Sequence, residues 1–121
     1  MKILHEDQIE IQVMKGEKGS VMVKDFFKEK KTIGIRIIPQ NSIILTRSHI
    51  HPERQVNYLI EGRAEVSNGK DTVLLKKGDF VFFKSNELHY LKTFESEAKL
   101  FELTYSQGKN PRGFTLAWET G

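Results

Sequence analysis

The chain has four histidines, and three of them fall in two places. His49 and His51 lie in Ser48-His49-Ile50-His51-Pro52-Glu53-Arg54-Gln55, and His89 stands far downstream. One residue separates His49 from His51, so on a strand both imidazoles project from the same face. Pro52 follows at once and bends the chain, bringing Gln55 back into reach. Imidazole nitrogens and an amide oxygen are neutral donors suited to one divalent transition metal, and such an ion supplies Lewis-acid or redox chemistry. Glu53 competes for the fourth place, because it shares the parity of the histidines; the proline bend weighs toward Gln55. Singly, each histidine motif reads better as a structural or solvated loop feature, so it is their combination that points to a metal.

The elements that must hold these residues have a period of two. Ile9, Ile11 and Val13 alternate with polar neighbours and predict a half-buried strand. Val21 to Val23, the β-branched run Ile33 to Ile38, and Ile43 to Leu45 follow, the last leading into the histidine stretch. Val56 to Ile60, Arg63 to Val66, Thr72 to Leu75, Phe80 to Phe83, His89 to Thr93, Ala98 to Tyr105 and Phe114 to Trp118 complete the set. Asn68-Gly69 predicts a hairpin with a type I′ turn, and Lys77-Gly78-Asp79 a second tight turn. No segment carries a sustained helical stripe. The prediction is an all-β domain with few or no helices, closed as a barrel or a two-sheet sandwich.

At 121 residues the chain is long enough for one core. It is expected to form a single domain over 1–121: an N-terminal strand segment 1–32, a site-bearing part 33–105 and C-terminal strands 106–121. With no cysteine there is no disulfide framework and no thiolate ligand or nucleophile. No apolar run is long enough to span a membrane, and the first residues turn acidic too early for a signal peptide. A cytoplasmic location is the expectation. The net charge of +3 is spread among interspersed acids, without a basic run interleaved with aromatics. No nucleic-acid or membrane partner is therefore expected, and an anionic small molecule suits the balance better.

His49-Ile50-His51 with Gln55 and the later Gly62 resembles the first motif of the cupin family. Gly78 to His89 resembles its second motif, which ends in a metal-binding histidine. The similarity runs from about Ile33 to Tyr105. It implies a double-stranded β-helix, or jelly-roll barrel, holding one divalent metal (Zn, Fe, Ni, Cu, Co or Mn) on His49, His51, Gln55 and His89. The chain departs from the pattern at several places. Gln55 stands where glutamate is usual, Ile43 where a glycine is usual, Lys84 and Asn86 where proline and glycine are usual, and Thr93 where asparagine is usual. None of these removes a ligand. Asn86 tolerates a left-handed backbone and can hold its turn.

Three imidazoles and an amide would leave the ion its full charge, favouring an anionic oxygenated ligand such as a sugar acid. Similarity to small uronate-processing cupins implies isomerisation, ring opening or elimination. Similarity to quercetinase-like cupins implies an iron, nickel or copper dioxygenase instead. A non-catalytic sensor and a metal-free sugar isomerase, with His49 and His51 as acid and base, complete the alternatives. Arg36 and Arg47 are candidate carboxylate binders, and Tyr58, Tyr90, Tyr105 and Glu102 candidate acids or bases. A homodimer is expected, with the N-terminal segment suited to pairing with a neighbour's sheet.

Overall fold

Side chains alternate across a strand, and where one face is covered an inward row and an outward row result. That rule organises the molecule. The computed structural model describes residues 1–44 and 51–106. In chain order the strands are β1 (Gln12–Lys15), β2 (Ser20–Lys28), β3 (Lys31–Ile38), β4 (Ile43–Ile44) and β5 (Arg54–Glu61). They continue as β6 (Ala64–Ser67), β7 (Thr72–Leu75), β8 (Phe80–Phe83), β9 (Tyr90–Lys92) and β10 (Ala98–Tyr105). A 3-10 turn, Glu6–Gln8, is the only helical element among the described residues. None of the described helices is long and apolar enough to cross a membrane.

The strands form an antiparallel six-stranded sheet, β1-β2-β3-β10-β5-β8, facing a four-stranded sheet, β4-β9-β6-β7. This is the jelly-roll arrangement expected. The space between the sheets is filled by Val21, Val23, Ile38, Ile44, Leu59, Ala64, Val66, Leu75, Phe83, Leu91, Ala98 and Leu100. Leu59, Ala64, Ala98 and Leu100 are fully buried, at 0% exposure. Gly62 follows β5 at φ 84°, and a Cβ there would collide with the Glu97 carbonyl, so the turn takes no other residue without strain.

Two local expectations need correction. The first strand starts at Gln12, and all four of its residues are exposed, where a half-buried strand was expected. Alternation says which side chains share a face, but not whether anything covers that face. The Asn68-Gly69 hairpin is present, yet its loop holds four residues, since Ser67 pairs with Thr72. Gly69 alone there has positive φ, while the Asn68 side chain accepts from the amides of Lys70 and Asp71. An Asx-type turn therefore replaces the type I′ turn. The N-terminal segment also contains the 3-10 turn, which periodicity did not signal. The strand expected over Phe114 to Trp118 lies outside the described residues.

Candidate metal centre

Along β5 the inward row reads Leu59, Asn57, Gln55, and beyond the end of the strand comes His51. Along β10 it reads Ala98, Leu100, Glu102, Thr104, and along β3 it reads Ile38, Arg36, Gly34, Thr32. Each row turns from apolar to polar toward the same end of the barrel. Register locks the rows together: Thr104 pairs with Thr32 on one side and Gln55 on the other, and Glu102 with Gly34 and Asn57.

His51 is held by the loop between β8 and β9. The Asn86 amide donates to the His51 carbonyl at 2.8 Å, and the Ser85 hydroxyl donates to the Pro52 carbonyl at 2.6 Å. Asn86 stands at φ 59°, the left-handed angle expected for it. That loop is fixed in turn by the Glu87 carboxylate, which accepts from the Lys84 amide and from the Asn68 side chain. His89 leaves the same loop and is 1% exposed. Its ring stacks on Phe83 with centroids 4.7 Å apart and meets the His51 ring edge-on at 4.9 Å.

Both imidazoles are pinned by a backbone carbonyl. His51 Nδ1 lies 2.9 Å from the Glu53 carbonyl, and His89 Nδ1 lies 3.0 Å from the Glu87 carbonyl. A carbonyl oxygen only accepts, so in each neutral ring Nδ1 carries the proton and Nε2 the lone pair. This is the tautomer, and the supporting contact, of a histidine that ligates through Nε2. Gln55 Oε1 lies 3.3 Å from His51 Nε2. Its amide nitrogen is already committed, donating to Asn57 Oδ1 at 2.7 Å. Two lone-pair atoms therefore face each other at the polar end of the barrel, with Gln55 only 5% exposed, an arrangement satisfied by a cation or a proton between them. The donor set of His51, Gln55 and His89 fits a divalent transition metal.

Glu53 and Gln55 are now distinguished by position. The Glu53 carboxylate sits 3.4 Å from His51 Nδ1, on the side of the ring away from Nε2, and is 45% exposed. Gln55 faces Nε2. Among the described residues, no three His, Asp or Glu side chains are gathered closely enough to hold a metal by themselves. His49 and Arg47 lie outside the described residues.

The remaining candidates separate by face. Arg36 and Glu102 point inward but are committed to each other at 2.8 Å, and Arg36 also pairs with Asp25 at 2.6 Å. Tyr58 faces outward against Phe80, with ring centroids 4.6 Å apart. Tyr90 alternates with the inward His89 and Leu91 and so faces away from the histidines. Tyr105, the last residue of β10, pairs with Arg54 and Lys31 and lies out of phase with the inward Thr104. Asn57, at 0% exposure, and Asp25 were not among the candidates. Asn57 could have been found: it is a polar residue in an apolar run, in phase with Gln55. A cavity of about 330 Å³ opens beside His51, lined by Glu29, Lys30, Thr32, Glu53, Thr104 and Ser106. A second, of about 290 Å³, is lined by Arg63, Glu65, Leu74, Phe94, Glu95 and Ser96 and includes none of the candidate ligands.

The comparisons with known proteins bear on the fold and the family. The model of the cupin domain matches residues 37–104, more than half of the chain. The chain belongs to the cupin family. A predicted oxalate decarboxylase of Thermotoga maritima superposes with a TM-score of 0.77 at 16% identity, covering 87% of this chain and 99% of that one. The polyketide cyclase RemF of Streptomyces resistomycificus gives 0.74 at 14% identity, over 86% and 78% of the two chains. An RmlC-like cupin of Shewanella frigidimarina gives 0.70 at 18%, over 86% and 89%. At these identities the likeness is one of fold. No curated protein matches the chain.

Proposed function

We propose that this cupin binds one divalent transition metal through His51, Gln55 and His89, with His49 as the further ligand that its sequence position suggests. The metal site would take a small anionic oxygenated molecule, such as a sugar acid, from the cavity beside His51. The reading is carried by one observation: two carbonyl-pinned imidazoles, with one Nε2 facing an amide oxygen whose nitrogen is engaged elsewhere. When bound, the ion would supply Lewis-acid polarisation of a carbonyl or hydroxyl, undiminished by any negative ligand. The chain's own residues supply the rest. Thr32 and Thr104 face each other across β3 and β10, level with Gln55, and offer a row of hydroxyls to a polyoxygenated ligand. Lys30 brings a positive charge to the same cavity. Glu29 and Glu53 line it as well, so proton transfer in an isomerisation, ring opening or elimination falls to one of these two. Glu102, tied to Arg36, is poorly placed for that role.

The test is elemental analysis of the purified protein alongside His51→Ala and His89→Ala. The wild type is expected to carry close to one transition-metal ion per chain, and each variant to lose it. Equal metal content in all three proteins would overturn the assignment. Zinc would favour the isomerase or lyase reading; iron or copper would move the reading to a dioxygenase. Turnover retained by metal-stripped protein would instead make His51 an acid or base.

A further inference from the structure

The polar side chains inside the barrel form a directional chain. Arg36 has only donors, so the Glu102 oxygen that it meets at 2.8 Å must accept. The other Glu102 oxygen accepts from Asn57 Nδ2 at 3.0 Å. With its nitrogen spent, Asn57 presents Oδ1 and accepts from Gln55 Nε2. Gln55 is left with Oε1 toward His51. The orientation of both amides is thus dictated from Arg36, at the far end of the chain from the histidines. With Asn57 at 0% and Gln55 at 5% exposure, water has little access to compete for these groups.

We propose that Asn57 and Glu102 are positioning residues that hold the oxygen of Gln55, rather than its NH2, toward the metal. The negative charge that a glutamate would bring to position 55 is carried instead by Glu102, where Arg36 offsets it. The inference rests on the metal reading of His51, Gln55 and His89. It also explains why glutamine occupies the place: a carboxylate at 55 would face the Asn57 oxygen, and turning Asn57 round would only face that oxygen toward Glu102.

The chain can be reversed by one atom type. In Glu102→Gln the new amide must give its oxygen to Arg36, so its NH2 faces Asn57. Asn57 then turns, Gln55 turns with it, and the NH2 of Gln55 faces His51 Nε2. Adding Gln55→Glu to that background satisfies every group again, because Asn57 Nδ2 now meets the new carboxylate.

The experiment measures Co²⁺ affinity and the visible Co²⁺ spectrum for wild type, Glu102→Gln, Gln55→Glu and the double variant, with the metal-free thermal midpoint of each. Glu102→Gln is expected to weaken Co²⁺ binding by about 10- to 100-fold, as loss of an outer partner does, and to change the spectrum. Gln55→Glu is expected to strengthen binding at least about 10-fold more when added to Glu102→Gln than when made alone, a coupling that additive effects do not give. The metal-free midpoint should fall in Gln55→Glu and recover in the double variant. Additivity in both affinity and midpoint would overturn the proposal. If the wild type fails to bind Co²⁺, the metal reading falls separately, and the midpoints alone decide whether the chain of amides is directional.

Discussion

The two ends of the barrel are built on the same strands and obey opposite rules. At one end β3, β5 and β10 contribute Ile38, Leu59 and Leu100, the largest apolar side chains of the core that are exposed by 1% or less. Two residues along, the same rows contribute Arg36, Asn57 and Glu102, joined by hydrogen bonds and flanked by Asp25. The apolar end gains stability from burial that needs no orientation. The polar end can at best recover what desolvation of its charges costs, and an apolar replacement of similar shape would often be as stable. A barrel that keeps such a cluster is holding groups in a set direction, and the direction leads to Gln55 and His51.

Substitution at each end should expose that difference. Leu100→Ala at the apolar end is expected to cost about 2–5 kcal/mol in urea denaturation, through lost burial and a cavity. Co²⁺ affinity of the folded protein should scarcely change. Arg36→Leu at the polar end is expected to cost about 3 kcal/mol, because Glu102 loses this cation and Asp25 keeps only the more distant Lys28, at 3.9 Å. The Asp25 and Glu102 side chains retain only 9% and 13% exposure. Here Co²⁺ affinity should fall together with stability. Equal loss of affinity in the two variants would erase the distinction between the ends.

Gly34 gives a smaller and more local test of the polar end. It lies within a β-branched strand, facing the interior between Asp25 and Glu102 in register. A Cβ there would collide with Asp25 Oδ1 and lie 2.5 Å from the Lys24 carbonyl. The glycine makes room for the Asp25–Arg36 pair. Gly34→Ala is expected to destabilise the protein by about 1–3 kcal/mol, as overpacking does. Adding Asp25→Ala should recover part of the loss if the carboxylate is what the methyl meets.

Much of the apolar end, and the histidines of the polar one, could be read from sequence, because alternation and short spacings are local. His51 and Gln55 lie within a few residues of each other across one proline, and Asn86 announces its own turn. The Arg36–Glu102 pair could not be read. It depends on β3 lying beside β10, and nothing local brings residues so distant in sequence together. Asp25 needs the β2–β3 register as well. Tyr58 and Tyr90 mark a different limit. Each is out of phase with Gln55 or His89 on its own strand, so parity already placed them on the outer face, while their side-chain chemistry made them candidates. Asn57 is the reverse case, in phase with Gln55 and without acid or base chemistry of its own.

The smallest effect contrasts an exposed carboxylate with the interior one. Glu6 sits on the outside of the same strands, 2.7 Å from Lys99 on β10 and 3.1 Å from Lys24 on β2. The hydrogen bond from Lys99, then that from Lys24, holds its pKa below the usual carboxylate range. A carboxyl with a lowered folded-state pKa adds stability that is fully present above its unfolded pKa and is lost as pH falls through the folded one. Glu6→Gln should therefore be less stable than wild type near neutral pH and converge with it under acid conditions. With 40% of the side chain exposed, solvent and salt screen the pair, so the difference at pH 7 should stay below about 1 kcal/mol and shrink in high salt. Denaturation curves across pH and salt would read it. A gap between the two proteins that widened on acidification would mean that the outer pair follows other physics. If it behaves as argued, the same carboxylate–cation chemistry tethers weakly outside the barrel and sets a direction only where solvent is kept out.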